Sequence, residues 1–489
     1  MLKSYPGKVL FTVIIIFLFI DCNSDRPKKH TTSNDRGYIG ISSDNHSYFK
    51  YSDGTPYIPV GINMISPGGK YRNNPDSALY EMGQWMKKLS ENGGNFIRVW
   101  LSSPFWDIED ERAGEYSEEK AMRIDRLIDM AGKYNLKIKM TFEHFRSLTL
   151  EENPQVWAVK GVYHRSNDGP LDSIRQYLAS PVGKKLFIDK LDFYMNRYGN
   201  DTRIFGWELW NEMNAVTGPQ DAVFFSWNEQ MLDEVKQRFP ENLVMQSLGS
   251  FDTDRVRSLY RKIMLLNGNQ VAQVHRYLDP GAEMEICQMP MDMICSSAVE
   301  ELISYNTGKP VILAETGAVE PKHSGPSKYY PVDTAGILLH DILFAPFFSG
   351  AAGAGMCWHW DTYVDKNNLW YHFGRFSKAI KDINPLEEKF VATKSETDDF
   401  RVYQLHGRKT ILIWLRDKNN TYESELMHGQ PPMTKSGIHF DLKHTGVKGP
   451  FREVSFYDPW QDKLQKVNSE EINLLLPDFK RSLVIRIKL

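Results

Sequence analysis

Cysteine is scarce in this chain of 489 residues. Only Cys22, Cys287, Cys295 and Cys357 occur, too few and too unevenly spaced for a disulfide framework or for a zinc site built on close pairs. Cys287 and Cys295 are near enough in sequence either to bridge a loop or to stay as free thiols. An excess of one charge is missing too: the formal net charge is -3, so there is no electrostatic footprint for nucleic acid, and neither a polyanion nor a polycation is implied as a partner. No internal repeat or low-complexity tract is present. The apolar run near the start, Val9 to Ile20, is twelve residues with only Thr12 polar. As a helix it would reach about 18 Å against a hydrocarbon core of about 30 Å, which argues against a stable membrane span.

What is present is ordinary globular material, 41% hydrophobic and 25% charged. At this length one core stops growing, so a large domain of roughly 300 residues with a smaller companion is expected. Lys3 and Lys8 ahead of the apolar run give residues 1–21 the outline of a signal peptide. Phe19, Ile20, Asp21 and Cys22 resemble a bacterial lipobox, with Asp21 in place of the usual small residue. Lipidation at Cys22 would make the mature protein an exported lipoprotein of the outer membrane, while ordinary cleavage would leave it periplasmic or secreted. Residues 22–37 are polar and read as a tether.

From residue 38 to 384, short apolar runs alternate with segments of helical period, the pattern of repeated βα units. Expected strands are Tyr57 to Asn63, Phe96 to Trp100, Leu136 to Phe142, Ile204 to Trp210, Leu243 to Gln246, Val271 to Val274, Val311 to Ala314 and Ala354 to Trp358. Eight units predict an α/β fold, a (β/α)8 TIM barrel. Residues 385–489 change to short strands between turn residues and predict a small C-terminal β-sandwich.

The chemistry gathers where barrel strands end. Trp207 to Asn214 closes an apolar run with Asn211 and Glu212, and Ile312 to Gly317 closes another with Glu315. One Asn-Glu dipeptide carries little information. Two glutamates at matching strand ends form a carboxylate pair, as glycosidic bond cleavage requires. Arg98, His144, His275, Tyr277 and Trp358 fall on the same rim. Strand alternation places Glu208, Trp210 and Glu212 on one face, with Glu208 able to pair with Arg98 structurally. The aromatic content of 12% suits sugar stacking, and Trp106, Trp360 and Trp370 are either distal platforms or core.

Phe96-Ile97-Arg98-Val99-Trp100, Trp207 to Asn214, His275-Arg276-Tyr277, Ile312 to Gly317 and Trp358 together resemble the clan A retaining glycoside hydrolases. Within the clan they are most similar to family 5, which includes cellulases and mannanases; Met213 stands where proline is frequent. The resemblance spans roughly residues 45 to 385. It implies Glu212 as acid/base, Glu315 as nucleophile, Asn211 on the sugar 2-hydroxyl, Arg98 supporting and Tyr277 hydrogen-bonding the nucleophile, His275 lining the cleft and Trp358 stacking under a sugar. His144 is a further candidate for the cleft. No metal or cofactor is implied; the partner is a β-linked mannan- or glucan-type glycan. A transglycosylase would use the same residues. A non-catalytic glycan-binding lipoprotein would have no use for the matched glutamates, and a metal-dependent barrel hydrolase wants an early histidine pair that Gly61-Ile62-Asn63-Met64 lacks. Endo or exo action and oligomeric state are left open.

Overall fold

Three short antiparallel strands, β1 (Ile39–Ile41), β2 (Phe49–Tyr51) and β3 (Pro56–Tyr57), precede the main sheet. The computed structural model describes residue 1 and residues 36–67, 74–144, 161–216, 220–446, 451–467 and 472–489. Strands β4 (Gly61–Asn63), β5 (Phe96–Trp100), β6 (Lys137–His144), β7 (Ile204–Asn211) and β8 (Leu243–Met245) form a parallel sheet in chain order, and β9 (Ala272–Leu278) pairs in parallel with β10 (Val311–Ala318). Every residue of β5, β6, β7, β9 and β10 is buried. Covered parallel strands have no solvated face, which is why they read in the sequence as nearly continuous apolar runs. Gly61 is where two backbones crowd most: a Cβ there would meet Phe96 O at 1.9 Å.

Helices α1 (Pro75–Glu91), α2 (Glu118–Lys133), α3 (Ile174–Ala179), α4 (Pro181–Tyr198), α5 (Ala222–Arg238), α6 (Arg257–Leu265), α7 (Met291–Ser304), α8 (Ile337–Phe348) and α9 (Tyr371–Ala379) alternate with these strands. Capping chemistry sets several starts. Asn74, Ser117, Ser180 and Asp221 each accept a backbone N–H of the first turn, and Pro75 and Pro181 occupy positions where a missing N–H costs nothing.

The expected strands ending at Val274 and Ala314 run on to Leu278 and Ala318, so His275, Tyr277 and Glu315 lie inside strands rather than past their ends, and two other expected strands differ in kind. Tyr57 to Asn63 splits into β3 and β4 around Pro59, which offers no N–H to a ladder. Ala354 to Trp358 is a bridging segment, not a regular strand. Thr316 N donates to Met356 O (3.0 Å), Trp358 N to Thr316 O (2.8 Å) and Asn63 N to Cys357 O (3.1 Å), so Cys357 bridges both Thr316 and Ile62. Gly353 and Gly355 press against Pro59 O and Ile342 O, leaving this segment little room to extend. On the other side, the residues just ahead of β9 meet β8 through hydrogen bonds such as Gln270 N to Val244 O (2.9 Å), without a ladder between the two strands. Among the described residues the regular ladders therefore stop short of a closed ring of eight. Cys287, Cys295 and Cys357 are buried free thiols, so the Cys287–Cys295 bridge does not form. Cys22 lies outside the described residues, and among those described no helix is long and apolar enough to cross a membrane.

Beyond the helices come β11 (Val391–Glu396), β12 (Phe400–His406), β13 (Thr410–Asp417), β14 (Thr434–Lys435), β15 (His439–Asp441), β16 (Glu453–Asp458), β17 (Lys463–Val467), β18 (Asn473–Leu475), β19 (Phe479–Lys480) and β20 (Ser482–Lys488). Six make an antiparallel sheet in the order β11-β12-β13-β20-β16-β17; β14-β19 and β15-β18 are two-stranded ribbons. Alternation gives this sheet two buried faces. Val402, Ile413, Phe456 and Ile485 share a core with Phe440 and Leu474 of one ribbon, while Tyr403, Leu412, Trp414 and Val484 join the main core. Residues 36–489 thus form one compact unit.

Candidate active site

β7 ends on Asn211, and the next residue, Glu212, turns the chain in a left-handed conformation (φ 50°, ψ 47°). For a non-glycine residue that conformation costs roughly 1–2 kcal/mol, and here it is held by Ala215 N bonding Glu212 O (2.8 Å) and Glu212 N bonding Ser247 Oγ (3.3 Å). Glu315 sits inside β10 just past a bulge that shifts register between Leu313 and Glu315 relative to β9. That bulge sets Glu315 opposite His275 and Gly317 opposite Tyr277.

The two carboxylates converge. One oxygen each from Glu212 and Glu315, with one ring nitrogen of His275, all lie within 4.8 Å of one another. His275 Nδ1 is 2.8 Å from Glu212 Oε1 and 3.8 Å from Glu315 Oε2. Tyr277 OH donates to Glu315 Oε1 (2.7 Å) and Arg98 Nη1 to Glu315 Oε2 (2.7 Å). Arg98 is the hub: Nε also bonds Glu208 (2.8 Å), Nη2 bonds Asn211 Oδ1 (2.5 Å) and Nη1 bonds Asn63 Oδ1 (3.2 Å). Asn63 is a participant the sequence reading missed; its Nδ2 donates to Ala314 O and Met356 O, tying β4 to both segments beside it.

The electrostatics differ between the glutamates. Burial, then the neighbouring Glu315, pushes Glu212 well above the ordinary carboxylate range. Burial raises Glu315 as well, but Arg98 and the two hydrogen bonds oppose the shift. Burial, reinforced by Arg98, pushes His275 well below the usual imidazole range, so Glu212 faces a neutral ring. Of the pair, the contacts that favour the charged form thus fall mainly on Glu315.

Other expected positions are mixed. Trp358 is half-buried and packs on Trp100 with ring centroids 4.9 Å apart. His144 is buried at the end of β6, stacked on Trp100 (4.7 Å) with Nδ1 2.6 Å from Ser102 Oγ. Glu208 pairs with Arg98 as expected, yet the alternation along β7 fails: Trp210 packs against Trp227 and Tyr177, and Asn211 joins Glu208 at Arg98. Phe142 and Leu209 drop out of the β6–β7 ladder together with the register unchanged on either side, and the register shift itself lies earlier, between Ile138 and Lys139. Trp106, Trp360 and Trp370 are buried, with Trp106 Nε1 on Ile65 O and Trp370 Nε1 on Asp365, so these three pack the fold.

A second group with metal-ligand chemistry, Asp252, Asp279 and His323, lies beside Tyr277, whose ring His323 contacts edge-on at 4.9 Å. Asp279 Oδ1 is already taken by Gly281 N and Lys322 N. Separation along the chain hid this cluster from sequence reading.

No protein-family profile matches the chain. Among solved structures it is similar to a glycoside hydrolase family 5 protein from Bacteroides vulgatus, at TM-score 0.58 and 14% identity over 93% of this chain and 94% of that one. It is also similar to the endo-beta-1,4-mannanase from Thermotoga petrophila, at TM-score 0.50 and 14% identity over 88% and 98%. In sequence it is 20% identical to mannan endo-1,4-beta-mannosidase 5 of Solanum lycopersicum over 257 residues, which is 50% of this chain and 59% of the relative. Endoglucanase C of Acetivibrio thermocellus is 25% identical over 159 residues, 31% of this chain and 36% of the relative. The chain thus spans little more than half the length of the tomato relative. It resembles family 5 of the clan A glycoside hydrolases.

Proposed function

We propose that the chain is a retaining β-glycoside hydrolase with Glu212 as acid/base and Glu315 as nucleophile. The observation that carries this is the approach of their carboxylate oxygens to within 4.8 Å. Retaining sites hold the two carboxyl groups about 5–5.5 Å apart, whereas inverting sites leave about 6.5–9.5 Å for a water. In the first step Glu315 attacks the anomeric carbon while Glu212 gives its proton to the departing glycosidic oxygen. In the second, Glu212 takes a proton from water, the water oxygen bonds the anomeric carbon, and Glu315 leaves with its electron pair. Tyr277 and Arg98 stabilise the charge Glu315 carries before attack and regains on release.

Asn211 supports the same reading. Arg98 occupies its carbonyl oxygen, while its buried Nδ2 has no hydrogen-bond partner among the described residues and is left to donate to a sugar 2-hydroxyl. Trp358, backed by Trp100, would stack under a pyranose, and His275 would line the cleft next to Glu212. His144 would act at one remove, setting the tilt of Trp100. The strand order and the bridging Met356 to Trp358 segment support a (β/α)8 barrel over residues 38–384, braced by a β-sandwich of residues 385–489. Mannan- or glucan-type β-glycans are the proposed substrates, in line with the names of the sequence relatives. A signal peptide over residues 1–21, a tether over 22–37 and lipidation at Cys22 complete the proposal: an exported, surface-tethered enzyme.

Incubation with a panel of β-mannans and β-glucans, following the first-released anomer by proton NMR, tests this directly. Retention is expected. An inverted first product would rule out the mechanism, and no turnover on any β-glycan would remove the function.

A further inference from the structure

Beneath the two glutamates lies a second cation, a lysine ammonium, for which this mechanism has no use. Lys139 of β6 is fully buried; its Nζ donates to Gln273 Oε1 of β9 and lies 3.7 Å from Glu208 Oε2 of β7. Arg98 of β5 holds the same Glu208 oxygen at 2.8 Å and reaches Glu315 of β10 at 2.7 Å. The charged or titratable groups felt by or feeling Lys139 are therefore Glu208, Arg98, Glu315 and, on β9, His275.

Anchoring Glu208 needs no lysine. Arg98 Nε, Thr141 Oγ1 (2.6 Å) and Gln273 Nε2 (3.3 Å) already bond it. What Lys139 adds is charge. The site gathers three carboxylates, the buried Glu208 and Glu315 and the partly buried Glu212, and His275 is neutral. Against Arg98 alone, electroneutrality would require two of the three to be protonated; against two cations it requires one. A retaining site needs one proton, held on the acid, with the nucleophile anionic.

We propose that Lys139 is a positioning residue for the two-glutamate site: its ammonium supplies the second positive charge under Glu208, so that Glu208 and Glu315 are both anionic while Glu212 alone holds a proton. It touches no substrate and acts through Glu208 and Arg98. The inference rests on the glycosidase reading for its kinetic consequences. Burial, opposed by Glu208, draws the Lys139 ammonium down to about 7, so its charge is present in acid and fades through neutrality.

The test is the pH profile of kcat/KM for Lys139→Met and Lys139→Arg beside the unmodified protein. Removing a buried positive charge raises the pKa of nearby carboxylates. The acidic limb of the Lys139→Met profile should move upward by about one pH unit, a roughly tenfold loss on the acid side that recovers towards pH 8, with KM unchanged. Lys139→Arg, which keeps the charge, should keep the acidic limb. A uniform loss with the acidic limb in place, or an unaltered profile, overturns the proposal. Should Lys139→Met fail to fold, NMR of [13Cε]lysine-labelled protein decides, with Lys139 assigned by its loss in Lys139→Arg. A charged Lys139 at pH 5.5 is expected, and a neutral one sinks the idea. Because this second readout needs no glycan, it stands even if every substrate is refused, an outcome that would count against the glycosidase reading alone.

Discussion

Two of the buried-charge clusters among the described residues differ in their partner accounting. Where the C-terminal sheet meets the helices, Arg401 Nε and Nη2 bond both oxygens of Asp292 (2.5 and 2.8 Å), and Arg416 bonds both oxygens of Asp341 (2.8 and 3.2 Å). Two cations meet two anions, each pair bidentate; Asp292 is held below the usual carboxylate range, while at Asp341 burial outweighs Arg416 and lifts the carboxyl to about 6. At the strand ends, Arg98 is divided among Glu208, Glu315, Asn211 and Asn63, and Glu212 is left with a neutral imidazole. Pairing to completion makes a joint; pairing one carboxylate short makes a group that must carry a proton. The second arrangement is what acid catalysis requires.

The largest expected effects come from the incomplete cluster. Glu315→Ala should lower kcat on any accepted glycan by at least about a thousandfold while the protein stays folded, since Arg98 retains three other partners. Glu212→Gln should do the same on natural glycans but spare the first step on an aryl glycoside whose leaving group needs no proton. The pH sign follows from the shifts. Glu212 works protonated and sits well above the usual range, so activity is lost only as pH rises through that raised value. Glu315 works ionised, so activity also falls as pH drops through its own. In Glu212→Gln the alkaline limb should vanish with the aryl substrate; its persistence would assign that limb elsewhere.

Arg401→Met probes the complete cluster. It orphans Asp292 in a buried setting, a loss of about 3–5 kcal/mol in a denaturant melt. Below its unfolding range the variant should keep wild-type kcat/KM at every pH. An altered profile would mean that the joint is coupled to the site, and the distinction between the two clusters would fall.

The sequence made one of these clusters readable and hid the other. Glu212 and Glu315 each follow an apolar run; β7 stops where its run stops, while β10 carries on through Glu315 to Ala318. Arg98, His275 and Tyr277 follow by the same logic. Lys139, Gln273 and Asn63 do not, because a polar residue inside a strand looks like a solvated alternation until its partners on other strands are known. Trp210 departs from the expected face because a period of two assumes that every residue stays in the ladder, and Phe142 and Leu209 both drop out of the β6–β7 pairing just before it. The eighth strand was misdescribed because two hydrogen-bonding neighbours can hold a glycine-flanked segment that lacks regular pairing. Asp292 and Arg401 stand far apart in sequence, on a helix and a strand, with no local signal linking them.

A closely matched comparison uses the same bond in both places. Tyr277 OH donates to Glu315 at 2.7 Å, and Tyr403 OH donates to Asp292 at 2.8 Å. Either Tyr→Phe change removes one hydrogen bond to a buried carboxylate, worth about 1.5–3 kcal/mol. At the joint, Asp292 keeps its bidentate arginine and has no reaction to perform, so Tyr403→Phe should register only as lost stability. At the site, Glu315 keeps a single Arg98 contact and must stay anionic in competition with Glu212. Loss of the donor raises its pKa, so Tyr277→Phe should move the acidic limb upward by about one pH unit and lower kcat several-fold. A Tyr277→Phe variant that changes only its melting temperature would show that hydrogen bonding to Glu315 is structural, and that Arg98 alone sets the charge on the nucleophile.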